Sequence, residues 1–124
     1  MIYWITGKSS SGKTVYAKRL KRFFEELGTK VLLFDGDEVR DQFEDQEYTD
    51  KCRLDHIMKI SKFASIAEKQ GFIVIIAVIS PKKEWRMKAR KLFEKSMLIY
   101  MPSGHLWEGT EYEEPDHEEM MCEG

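Results

Sequence analysis

Residues 7–14 read Gly-Lys-Ser-Ser-Ser-Gly-Lys-Thr, and no other stretch constrains the chain as strongly. It fills every specified position of the pattern G-x-x-x-x-G-K-[ST]. Its surroundings give the pattern meaning. The apolar run Ile2-Tyr3-Trp4-Ile5 before it reads as a buried strand, and a segment with helical spacing follows it. Gly7 and Gly12 permit backbone angles that a β-carbon would oppose, so successive amide N–H groups can turn inward around an anion. A helix starting near Lys13 adds the partial positive charge of its N-terminus. Lys13 is then placed to reach the outer phosphates of a nucleotide, and the Thr14 hydroxyl to ligate Mg²⁺. The stretch predicts a nucleotide site.

The 124 residues leave room for one domain, expected over 1–115. No apolar run approaches the ~20 residues needed to span a bilayer, and the chain opens on a strand rather than on a leader-like segment. Cys52 and Cys122 have neither metal-ligand spacing nor the density of a disulfide framework. A cytoplasmic location with no membrane partner is the expectation. Charge is unevenly spread. Residues 96–124 hold eight acids and no Lys or Arg, which leaves 20 basic and 14 acidic groups in residues 1–95. A mildly basic body suits a phosphorylated ligand, and it is too weakly basic to argue for nucleic acid. The acidic stretch 116–124 is expected to be a solvated, disordered tail.

After the loop, Tyr16, Leu20, Phe23, Phe24 and Leu27 recur at three- and four-residue spacing, and Gly28 stops the helix. Val31-Leu32-Leu33-Phe34 reads as a strand buried on both faces. The charged stretch 38–51 reads as a short helical turn and then a loop. A second long helix runs from about Asp50 to Gln70, followed by a strongly apolar strand over 72–79. Ser80-Pro81 reads as an N-cap and first helical turn, Trp85, Ala89, Leu92 and Phe93 continue that helix, and Met97–Tyr100 is a fourth strand. Met58, Met97 and Met101 read as core filler. The order β-α-β-α-β-α-β predicts an α/β, three-layer fold: a four-stranded parallel sheet with helices on both faces. Ligands bind such sheets beyond the carboxyl ends of the strands. The glycine loop, Asp35-Gly36-Asp37 and Ser80 all fall there.

Phosphoryl transfer asks for positioning and charge neutralisation. Asp35 and Asp37 supply the carboxylates, one to take a hydroxyl proton and one to bind metal or metal-bound water, and spacing does not say which. The third strand ends in Val78-Ile79-Ser80 with no acid, which moves the metal duty to Asp35 or Asp37. Arg40, Arg53, Lys59, Arg86 and Arg90 are the basic residues available for an acceptor. His56 reads as structural.

These segments together resemble the adenylylsulfate kinase family. The resemblance rests on GKSSSGKT, FDGDEVR at 34–40, RLDHI at 53–57, GFIVIIAVISP at 71–81 and R-x-x-x-R at 86–90, in unbroken order over roughly residues 1–100. It implies a P-loop kinase that transfers the γ-phosphate of ATP to the 3′-hydroxyl of adenosine 5′-phosphosulfate. Gly7, Lys8, Ser9, Ser10, Ser11, Gly12, Lys13 and Thr14 would bind ATP and Mg²⁺, with Thr14 and Asp35 toward the metal. Lys13, Asp35, Asp37 and Ser80 would carry the chemistry, Ser80 standing where the family has a phosphoserine site. Asp37, Arg40, Arg53, Ile79 and Ser80 would hold the acceptor, with Tyr48 where the family has an adenine-stacking Phe. Glu38, His56, Val78 and Lys82-Lys83 depart from the family pattern. After Tyr100 the chain runs almost at once to Gly109-Thr110-Glu111-Tyr112-Glu113-Glu114-Pro115, similar to a late segment of the family, as though the intervening lid had been excised. A second subunit of a homodimer could supply that lid. An open cleft also admits another nucleotide, or a polynucleotide end held by Lys82, Lys83, Lys88 and Lys91. The third reading is a nucleotide-binding module without turnover, its acidic tail facing a partner.

Overall fold

The structure, a computed structural model, describes residues 1–43, 49–105 and 111–121. These form β1 (Ile2–Gly7), α1 (Lys13–Glu26), β2 (Val31–Asp35), α2 (Gly36–Phe43), α3 (Asp50–Lys69), β3 (Ile73–Val78), α4 (Lys83–Arg90), β4 (Ser96–Met101) and α5 (His117–Met121). The four strands are parallel, in the order β2-β3-β1-β4. Trp4 lies in register with Ile76 on one side and Leu98 on the other.

Strand periodicity divides the core into two layers. Val74, Ile76 and Val78 of β3 face the same side as Ile2, Trp4 and Leu98, under Ile57, Ile60 and Ala64 of α3 and Trp85 and Ala89 of α4. Ile75 and Ala77 face the other side with Ile5, under Ala17, Leu20 and Phe24 of α1. With both faces covered, β3 must be apolar at every position, which is why its sequence lacks alternation. Fully burying a side chain such as Ile76 stabilises the fold by about 1.5–3 kcal/mol. Met58 and Met101 pack against these layers as expected, but Met97 points outward, 48% exposed, from an edge strand.

Helix ends follow local chemistry. The Thr49 hydroxyl caps α3 by accepting from Cys52 N at 3.2 Å. The α1 helix closes through Gly28 N to Glu25 O and Thr29 N to Phe24 O, both 3.0 Å. Asp35 caps α2, its Oδ1 accepting from Asp37 N at 3.0 Å.

Two expectations fail. Ser80-Pro81 does not begin α4. That helix starts at Lys83 with Lys82 as its N-cap, and Ser80 sits at φ 39 with its hydroxyl committed to the core. Nor does the described part of the acidic tail run free in solvent. Residues 117–121 form α5, and Glu119, 1% exposed, is ion-paired to the buried Arg86. Charge composition marked the stretch as solvated. Two buried arginines on α4 reverse that outcome, because a buried guanidinium needs a carboxylate.

Candidate functional site

The carboxyl ends of β1, β2 and β3 open on a cleft of about 400 Å³. Its lining includes Ser9 through Val15, Asp35 to Asp37, Arg40, Arg53, His56, Ala77 to Pro81 and His105. Sequence-predicted residues from four separate segments therefore share one cavity. Gly7 and Lys8 lie behind it at the root of the loop. Tyr48 lies outside the described residues.

The loop turns on Ser10 at φ 59 and Gly12 at φ 92. Gly12 is the residue before the first turn of α1, so its left-handed geometry aims the free amides of that turn into the cleft. Lys13 folds back over the loop and donates from Nζ to Lys8 O at 2.7 Å and Ser11 Oγ at 3.5 Å. Burial pulls its ammonium below the usual lysine range, against the opposing pull of the Asp37 and Asp35 charges. A desolvated ammonium over a ring of amides is a receptor for anionic oxygen.

The two acids differ in a way the sequence left open. Asp35 is held at both oxygens: Oδ2 accepts from Thr14 Oγ1 at 2.7 Å, and Oδ1 accepts from the backbone of α2. Asp37 is exposed, and its carboxylate takes no hydrogen bond among the described residues. Thr14 and Asp35 put a hydroxyl and a carboxylate oxygen side by side at the loop, a hard-oxygen pair that fits Mg²⁺. Arg40 on α2 and Arg53 on α3 line the opposite wall, both half-buried. His56 is buried on α3 beneath them.

Ser80 was placed among the chemical and acceptor-binding residues. Its hydroxyl is 2.9 Å from Thr6 Oγ1 and accepts from Trp4 Nε1 at 3.1 Å, and the residue is 2% exposed. Ser80 lines the cleft, but these contacts commit its hydroxyl to the core side. Ile79, half-buried, remains on the wall. Arg86 and Arg90, two of the basic residues available for an acceptor, are 0% and 2% exposed and face away from the cleft toward α5. Of the lysines suited to a polynucleotide backbone, Lys82 pairs with Asp50 and Lys83 with Asp116.

Sequence reasoning missed a second contact to the loop. His105 N donates to Ser9 O at 2.9 Å, and the two residues form an antiparallel bridge. Gly104, at φ 100, lets this segment approach, since a β-carbon there would collide with Ser9 O. The Pro-Ser-Gly-His run after β4 was the available signal. Tyr112 and Thr6, whose side chains meet behind the loop at 2.8 Å, gave none.

A family model for adenylylsulphate kinase matches residues 1–105. The probable adenylyl-sulfate kinase of Archaeoglobus fulgidus is 36% identical over 100 residues, 80% of this chain and 64% of that protein. That of Bacillus subtilis is 39% identical over 94 residues, 75% of this chain and 48% of that protein. The chain thus spans about half to two thirds of the length of these relatives. Among solved structures, an APS kinase of Mycobacterium tuberculosis superposes with a TM-score of 0.80 at 25% identity, covering 94% of this chain and 80% of that one. The same enzyme in complex with AMPPNP and APS gives 0.76 at 27% identity, covering 81% and 61%. The family match runs from β1 through the loop, the strand-end acids and both cleft arginines to His105, and on that ground the chain belongs to the adenylylsulphate kinase family.

Proposed function

We propose that this protein is an ATP-dependent kinase that phosphorylates the 3′-hydroxyl of adenosine 5′-phosphosulfate. The observation that carries the reading is the Thr14–Asp35 contact, 2.7 Å long, at the mouth of the amide-lined loop with Lys13 beside it and Asp37 exposed across from it. Related proteins named adenylyl-sulfate kinase, and an APS kinase of similar fold solved with AMPPNP and APS, support the choice of donor and acceptor.

The residues divide the work by their tethering. The loop amides and Lys13 Nζ hold the β- and γ-phosphates, Lys13 exchanging its bond to Lys8 O for phosphate oxygen. Thr14 Oγ1 and Asp35 Oδ2 would hold Mg²⁺, which when bound neutralises charge on the phosphates. Asp35 is fixed at both oxygens and suits that static duty. Asp37, one residue into α2, is the base: its exposed carboxylate accepts the proton of the acceptor hydroxyl. Arg40 and Arg53 supply fixed cations for the phosphosulfate, where a planar fork matches paired anionic oxygens. Ser80 is a structural residue of the β3 end in this scheme.

The test is ADP release from Mg-ATP with adenosine 5′-phosphosulfate as acceptor, beside a no-acceptor control and Lys13→Ala. Acceptor-dependent release that disappears in Lys13→Ala is the expected result. Release that ignores this acceptor overturns the substrate assignment.

A further inference from the structure

Behind the loop, four polar side chains and one carbonyl form a chain whose proton order is fixed by chemistry. The Trp4 indole can only donate, and it donates to Ser80 Oγ at 3.1 Å. The Ile79 carbonyl can only accept, and it takes the Thr6 hydroxyl proton at 2.7 Å. The Thr6 proton is thereby committed. Both Ser80, at 2.9 Å, and Tyr112, at 2.8 Å, must therefore donate to Thr6 Oγ1. Burial pushes the Tyr112 phenol up to about 12, so it keeps that proton throughout the working pH range.

Thr6 immediately precedes the first glycine of the nucleotide loop, and Ile79 and Ser80 directly follow β3 on the acceptor wall. The chain of bonds thus ties the two halves of the cleft together from behind. Ser80 at φ 39 is backbone in a sparsely populated region, which persists only when its surroundings hold it. Tyr112 is brought there by the segment it belongs to. Its ring stacks on Tyr100 at 6.2 Å, and Glu113 N donates to Pro81 O at 2.7 Å. Arg86 then joins the parts, donating to Ser80 O, Glu113 O and both carboxylate oxygens of Glu119 at 2.6–3.0 Å.

We propose that residues 111–121 are a strap that sets the nucleotide loop against the end of β3, and that Tyr112 is its positioning residue for phosphoryl transfer. The proposal rests on the kinase reading for its kinetic consequence. Tyr112 touches no substrate; it acts through Thr6. Loss of its bond loosens the placement of bound ATP against the acceptor while leaving each binding wall intact, so kcat falls and KM does not rise.

The experiment uses the full chain with Tyr112→Phe, Thr6→Val and Thr6→Ser, with kcat and KM for ATP taken from acceptor-dependent ADP release, normalised to folded protein by near-UV circular dichroism. Tyr112→Phe keeps the ring and removes only the hydroxyl. Tyr112→Phe and Thr6→Val are expected to lower kcat about tenfold with KM within about twofold, and Thr6→Ser to retain wild-type kcat. A Tyr112→Phe kcat within about twofold of wild type overturns the proposal, as does a loss that vanishes on normalisation. Hydrogen exchange by mass spectrometry separates this outcome from failure of the kinase reading itself. If the wild-type protein does not turn over this acceptor, a joint rise in exchange over residues 6–12 and 79–82 in Tyr112→Phe, with the rest unchanged, still supports the strap; unchanged exchange in those segments overturns it.

Discussion

Lys13, Asp35 and Asp37 at the mouth of the cleft and Arg86, Arg90 and Glu119 behind it are built from the same kinds of side chain, and they end in opposite states. Arg86 and Glu119 are both 0% exposed at the side chain, and the guanidinium reaches four acceptors inside the protein. Among the described residues Lys13 bonds only to its own loop, and the Asp37 carboxylate stands in solvent. The difference follows from desolvation. A charge taken fully out of water must find its partners within the fold, and once it has them nothing is left to offer a ligand. A charge on a rim can wait for a ligand because water satisfies it meanwhile. Burial with complete pairing therefore marks the structural set, and partial burial with spare valence marks the binding set.

Substitutions sharpen that contrast, and the binding set shows the largest effects. Lys13→Ala should lower kcat/KM at least about 10²–10³-fold, since it removes a preorganised cation from the developing phosphate charge. Its melting temperature should barely move, because no buried partner is stranded. Asp37→Asn is expected to cost about 10²–10⁴-fold in kcat with nucleotide affinity retained, read by steady-state kinetics beside titration calorimetry. An equal loss in Asp35→Asn and Asp37→Asn would break the division of labour between the two acids.

For the structural set the sign of the pattern reverses. Glu119→Ala should destabilise the protein by about 3–5 kcal/mol in urea unfolding, because Arg86 is left charged and buried without its carboxylate. Nucleotide affinity at temperatures where the variant is folded should stay near wild type. Trp4→Phe should cost about 1 kcal/mol or somewhat more, from the lost bond to Ser80 and reduced packing. Lys83 and Asp116 close the series. Asp116 is exposed and Lys83 half-exposed, and their 2.6 Å contact raises the lysine and lowers the acid from their ordinary values. The lowered acid contributes stability above the usual carboxylate range and loses it as pH falls through its folded pKa. The raised lysine contributes below the usual lysine range and loses it as pH rises through its own. Asp116→Asn should thus change the melting temperature only within error near neutrality, and should flatten its decline in acid. A large neutral-pH effect would mean that the strap depends on its rim rather than on Arg86.

The glycine loop, the four strands and the order of the helices were legible from sequence because each depends on neighbours along the chain. Gly12 and Lys13 occupy a local turn, and the unbroken apolar run of β3 reports burial on both faces. The convergence of Asp35, Arg40 and Arg53 on one cleft followed from their positions near strand ends and helix starts. The Ser80-Pro81 helix start, the burial of Arg86 and the fate of the acidic tail were not legible, for a common reason. Whether a hydroxyl, a guanidinium or a carboxylate faces solvent or a partner depends on residues far away in the chain: Trp4 for Ser80, Glu119 for Arg86. Composition reports the charge of a segment and is blind to its complement. Local geometry was written in the sequence, whereas the pairing of buried polar groups across 76 and 33 residues was decided only when the tertiary structure removed them from water.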